Sequence, residues 1–328
     1  MILLPNIDTE VWDLPERTVQ IIKELKDLGS VDISLDGEGP DCNTNGLYDL
    51  LRQIANEYNV NPKNIRIYTR NQLDDNTEFS VTRSPPLYVD QCNDFVKTSN
   101  IKEKTFDKDF NAFGIFIGRL NWLRLFLITK IRNEYNDKSI YTCHYDRDNE
   151  FHYSHIGLEK MVQHNIDFDT VNECIDTLKA CPIKNDIVEE YPIISPAHMN
   201  IAKVYHKFFV EIVAETYSTG KTFYPTEKIW RPILLKTPFI VQGPQNYLEN
   251  LKKLGFKTFD RWWNENYSLN TYDYQLVEIS KVLKEISKWS CEDMRRVYSE
   301  MEDTLEHNYN VMMNLKNEDF VEAFYPNE

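Results

Sequence analysis

Between residues 31 and 69 a strand, a loop, a helix and a second strand follow one another within about 40 residues. Val31 to Leu35 (VDISL) reads as a short strand, and the run from Asp36 to Asp41 is too rich in glycine and proline to be anything but a turn. Leu47, Leu50, Leu51, Ile54 and Tyr58 fall on one face of a helix, with Asn45 as its N-cap, and Ile65 to Thr69 (IRIYT) is the next strand. A helical crossover of this length joins parallel strands, so the spacing predicts a βαβ unit and a parallel sheet. An earlier helix is expected over 16–28, where Val19, Ile22, Leu25 and Leu28 precede a terminating Gly29.

The alternation resumes after residues 96–110, a charged stretch without apolar periodicity. Phe113 to Ile117 reads as a buried strand, with a helix from Asn121 to about Tyr135. Strands are expected again at 208–214 and 238–242, with a helix from Glu227 between them. At the end, Leu276, Ile279, Val282, Leu283 and Ile286 mark a helix face, and Ser290 with Asp293 opens another helix through a capping-box pattern. The expected class is α/β, as two Rossmann-like domains facing a cleft: 1–105, and 106–328 with terminal helices.

Length and composition limit the function. A chain of 328 residues, 41% hydrophobic, can bury a sizeable core. The net charge of -15 argues against a broad nucleic-acid footprint, which would require a basic surface. The most apolar stretch, 112–128, carries Arg119 and Arg124 and is too short to span a bilayer. The six cysteines, at 42, 92, 143, 174, 181 and 291, form no CxxC pair. Without a visible signal peptide, they read as reduced thiols of a cytoplasmic protein. Abundant Asn, Lys, Ile and Tyr hint at an AT-rich, viral source.

The segment 208–244 carries the most chemistry. Thr226 can cap a helix whose first turn holds Glu227 and Lys228. Free N–H groups at such a helix start, with a lysine beside them, suit a diphosphate. A carboxylate there, Glu227 or Glu215, can accept the hydroxyls of a ribose or sugar. A capped surface helix would show the same three residues.

This segment resembles the donor-binding motif of the α1,3-fucosyltransferases. In that family a strand ends in Phe-Glu-Asn, Thr-Glu-Lys opens a helix, and a further strand ends near Gly. Here the matching residues are Ala214-Glu215-Thr216, Thr226-Glu227-Lys228 and Val241-Gln242-Gly243. Ala214 and Thr216 replace the family's Phe and Asn, and Pro232 should kink the helix. A second stretch, 113–125, is similar to the family's strand followed by a phosphate-contacting arginine. Arg124 is its best counterpart, and Arg119 lies just past the strand. The resemblance implies a GT-B glycosyltransferase moving a sugar, with inversion, from a nucleotide-sugar donor to a hydroxyl acceptor such as a glycan. GDP-fucose is the donor it suggests. Lys228 and Arg124 would hold the diphosphate and Glu227 the ribose, with no cofactor beyond the donor.

An inverting transfer needs a base for the acceptor hydroxyl. Glu38, just past a strand and between glycines, is the candidate, with Asp36 and Asp41 behind it. The same loop also reads as an ordinary acidic turn. Asp146-Arg147-Asp148 is a D-x-D of the kind that holds a divalent cation, but such runs are common in an acidic chain. Cys143, His144, His152, His155 and His164 fit no zinc spacing, and no metal is expected. Thr219-Gly220-Lys221-Thr222 lacks the upstream glycine of a P-loop. Phe256, Phe259, Trp262 and Trp263 read as core or an interdomain seam rather than a sugar platform. Two rival readings remain: a DNA-modifying glycosyltransferase, and a binding or virion-associated protein on a transferase scaffold.

Overall fold

A computed structural model describes residues 1–4, 15–35, 39–86, 102–118, 120–144, 158–183 and 199–326. The chain is α/β, with two four-stranded parallel sheets among the described residues. It divides into two compact units. The first comprises 1–86, 216–225 and 316–328. The second comprises 87–215 and 226–315. A single cut at residue 105 does not describe this division, because two later segments return to the N-terminal unit.

In the first unit the order is β1 (Ile2–Leu3), α1 (Pro15–Leu28), β2 (Val31–Ser34), α2 (Leu47–Glu57), β3 (Ile65–Thr69) and β4 (Ser80–Arg83). The strands lie side by side in chain order, β1-β2-β3-β4. Strand β3 alternates: Ile65, Ile67 and Thr69 point inward, while Arg66 and Tyr68 point out. The core is mainly aliphatic, with Ile21 and Leu25 of α1 and Leu47, Leu51 and Ile54 of α2 packed on Ile33, Ile65 and Ile67, and with Tyr48 stacked on Phe79. Gly46, at φ 79°, occupies the N-cap position of α2 expected of Asn45. The Asn45 side chain still accepts the Leu47 N–H, at 3.1 Å.

The second unit runs β5 (Asn111–Ile117), α3 (Trp122–Glu134), β6 (Ser139–Cys143), α4 (Leu158–Gln163), α5 (Phe168–Ala180), α6 (Met199–Ala202), β7 (Phe208–Ala214), α7 (Glu227–Leu234), β8 (Phe239–Gln242), α8 (Tyr247–Lys253), α9 (Tyr272–Ile286) and α10 (Cys291–Asn314). Its sheet order is β6-β5-β7-β8. Every residue of β7 and β8 is buried, as expected for parallel strands covered on both faces. Gly114 of β5 is required by packing: a Cβ there would come within 2.6 Å of the Phe208 ring. Helix α10 opens with the expected capping box of Ser290 and Asp293. Helix α7 contains Pro232 and ends two residues beyond it. Among the described residues, no helix is long and apolar enough to cross a membrane.

Candidate functional site

The second sheet changes direction at its centre. From β5 the chain crosses to β6 on one side, then returns to place β7 on the other. In open parallel sheets, the carboxyl ends of two strands at such a reversal frame the crevice where ligands bind. Residues from both strands meet there. Asn121 caps α3 by accepting the Arg124 N–H at 2.9 Å. That cap fixes the first turn after β5 and places Arg124, which is 4% exposed. The Arg124 guanidinium donates to the backbone oxygen of Glu215, just past β7, at 2.5 Å.

Glu215 organises the other side. Its N–H donates to the carbonyl of Gln242 at 2.9 Å, extending the β7–β8 ladder. Its carboxylate accepts the Thr226 N–H at 3.2 Å and hydroxyl at 2.6 Å, and the Tyr247 hydroxyl at 2.6 Å. Burial, reinforced by the charge of Glu215, holds the Tyr247 phenol well above its ordinary pKa, so it stays a donor. The Thr226 oxygen in turn accepts the Lys228 N–H at 3.3 Å, as the N-cap of α7. Glu215 thereby fixes the direction in which α7 begins. The Lys228 ammonium lies 2.9 Å from Glu227 Oε1, and these two side chains keep 22% and 15% of their surface exposed.

No protein-family model, curated protein or solved structure matches this chain.

A helix N-terminus offers unpaired N–H groups and the positive end of a dipole, and Lys228 adds a full charge. Glu227 adds an acceptor for hydroxyls. Arg124 brings a second cation to the strand reversal. The structure thus brings together Arg124, Glu215, Glu227 and Lys228. Glu215 is 1% exposed, and its carboxylate orders Thr226 and Tyr247.

Glu38, Asp36 and Arg119 lie outside the described residues, as do Asp146-Arg147-Asp148, His152 and His155. Asp41 is described, and its carboxylate builds a turn. It accepts the Asn43 N–H at 3.0 Å, the Thr44 hydroxyl at 2.8 Å and the Lys221 N–H at 2.7 Å. His164 stacks on Trp122, with ring centroids 5.1 Å apart. Among the described residues, no three His, Cys, Asp or Glu side chains are grouped to hold a metal ion.

The segment 216–225, between β7 and α7, belongs to the first unit. Asn71 clamps it, donating to the Lys221 carbonyl at 2.9 Å and accepting the Phe223 N–H at 3.1 Å. Gly39 is needed beneath it, because a Cβ there would lie 2.9 Å from that of Tyr224. Lys221 pairs with Asp75 at 2.6 Å.

Arg231 serves the interior of the second unit. Arg231 is 5% exposed and ion-paired with Glu211 of β7, which is fully buried. Tyr205 bonds both residues, accepting from Arg231 Nε at 2.5 Å and donating to Glu211. Nearby, Lys104 keeps part of its surface exposed, while its ammonium donates to the carbonyls of Tyr205 and Phe208 at 2.9 and 2.6 Å and to Thr237 Oγ1 at 3.2 Å. Burial lowers the Lys104 pKa to about 7, against the pull of Glu211. One signal could have revealed this network: an acid inside the apolar strand FFVEIVA must have a buried partner.

Gln242, ending β8, is fully buried, and neither atom of its amide finds a partner among the described residues. Phe256, Phe259 and Trp263 are core, as read. Trp262 stands at the edge of a cavity of about 520 Å³ lined also by Lys252, Asp260, Arg261 and Glu265.

Proposed function

We propose that this chain is a glycosyltransferase of the GT-B type, similar to the α1,3-fucosyltransferases. It transfers a sugar from a nucleotide-sugar donor to a hydroxyl acceptor with inversion. The observation that carries the reading is the convergence of Arg124 and Glu215 at the strand reversal, with Thr226-Glu227-Lys228 opening a helix from the same point. In this reading Lys228 and the α7 N-terminus take the donor diphosphate. The leaving group is a nucleoside diphosphate, so negative charge grows there in the transition state, where fixed cations lower the barrier most. Arg124 adds its charge and holds the Glu215 carbonyl. Glu215 and Tyr247 keep Thr226 in place, and Glu227 accepts ribose hydroxyls. Glu38 is proposed as the acceptor base. GDP-fucose is the first donor to try.

A thermal-shift screen of GDP-, UDP- and ADP-sugars tests this. A true donor at one hundred times its dissociation constant should stabilise the protein by about 2.7 kcal/mol. Stabilisation by one nucleotide class, followed by transfer to a sugar acceptor, supports the reading. No shift with any of them contradicts it and favours a protein that does not use nucleotide-sugars.

A further inference from the structure

Cys143 ends β6 and Cys181 caps the C-terminus of α5, 38 residues further on. A pair of backbone bonds draws these ends together. The Cys143 N–H donates to the Ile183 carbonyl at 2.9 Å, and the Ile183 N–H returns a bond to the Cys143 carbonyl at 2.8 Å. The two sulfurs lie 3.5 Å apart with no covalent bond between them. Cys181 Sγ is also 3.3 Å from the Thr177 carbonyl, so the helix end holds it in place. Cys143 is fully buried, whereas Cys181 is partly exposed. An oxidant can therefore reach one sulfur first, with the second waiting behind it. Sulfurs at this distance need to close by only about 1.5 Å to reach the length of a disulfide.

We propose that Cys143 and Cys181 form an oxidisable pair, which peroxide converts to a disulfide joining β6 to the end of α5. The Cys181 thiol attacks the peroxide: an S–O bond forms, the O–O bond breaks and one water leaves. Cys143 sulfur then attacks the sulfenic sulfur of Cys181. The S–S bond forms, the S–O bond breaks, and the oxygen leaves with the Cys143 proton as a second water. Two thiols lose two electrons in all, and one peroxide gains them. Cys42 lies in the first unit, buried with its sulfur 4.0 Å from the Pro40 carbonyl. Cys291 contacts a backbone oxygen, that of Asp107, at 3.4 Å. The proposal stands independently of the transferase reading.

The test is peptide mapping of the full chain without reductant, before and after one equivalent of hydrogen peroxide. The expected product joins the Cys143 and Cys181 peptides, two hydrogens lighter than their sum, and dithiothreitol reverses it. The closed loop should raise the melting temperature by a few degrees, with no rise in Cys181→Ser. In Cys143→Ser the sulfenic acid at Cys181 loses the Cys143 thiol that resolves it, so dimedone should trap it. If the serine variant does not fold, mapping of the wild-type protein alone still decides. Unlinked Cys143 and Cys181 after full consumption of the peroxide would overturn the proposal. So would a linkage that pairs either of them with another cysteine.

Discussion

Glu211 stands in the middle of β7 and Glu215 just past its end, and the two acids are used in different ways. Glu211 is sealed in the interior and neutralised by Arg231, with Tyr205 bonded to both. Glu215 lies past the carboxyl end of β7, where neutral donors, the Thr226 N–H and hydroxyl and the Tyr247 phenol, hold its carboxylate. The first acid has a dedicated cation. The second aligns the helix that carries a partly exposed cation, Lys228. Position on the strand explains the difference. A charge in mid-strand of a covered sheet must be matched within the fold. At the strand's end it can instead orient groups that meet a ligand.

Substitutions should separate the two roles. Glu211→Ala has the largest expected effect, a loss of about 3–5 kcal/mol in chemical denaturation, because it leaves Arg231 buried without its partner. Replacing both by apolar residues, Glu211→Leu with Arg231→Met, should recover most of that loss. If Glu211→Ala unfolds at the wild-type denaturant concentration, the sealed pair is not structural. Tyr247→Phe should cost about 2 kcal/mol, since it removes a buried bond to a carboxylate. It should also weaken donor binding by loosening Thr226.

Lys104 gives a pH signature to the sealed region. Its folded pKa of about 7 is below its ordinary value of 10.5. Between these values the unfolded chain binds more protons than the folded one, so this residue makes stability rise with pH across the window. Relative to Lys104→Met, the wild-type stability should climb from pH 7 to 10 by up to about 1.4 kcal/mol per pH unit. Below pH 7 the difference between the two should be flat. Parallel curves through the window would show that the ammonium is not desolvated.

Much of the fold was legible in sequence, because local pattern set it. Ile65 to Thr69 alternates, Phe208 to Ala214 is a buried run, and Ser290 with Asp293 announces its helix. The elements that went unread lack such a pattern. Strand β1 is two residues long, and β4 carries no fully buried residue. Helix α5 buries Val171, Cys174, Thr177 and Leu178, a face on which only two residues are aliphatic. The return of 216–225 to the first unit depends on Asn71, some 150 residues earlier, and a local pattern cannot report that. Within the site, Thr226 and Lys228 were readable from capping chemistry. Tyr247 was not, because its bond to Glu215 spans 32 residues and a second helix. The buried role of Arg231 was not readable either, because its partner, Glu211, sits inside a strand that otherwise reads as apolar.

Lys228→Ala has the smallest expected effect on stability, about 0.5 kcal/mol, since it removes a partly exposed pair. It is also the most direct test of the central claim. The measurement is the melting temperature of wild type and Lys228→Ala with and without the stabilising nucleotide-sugar, with circular dichroism to confirm an intact fold. The account predicts stability within about 0.5 kcal/mol of wild type without ligand, and loss in the variant of both the ligand-dependent shift and transfer. A folded Lys228→Ala protein that keeps the full shift and full activity would contradict it.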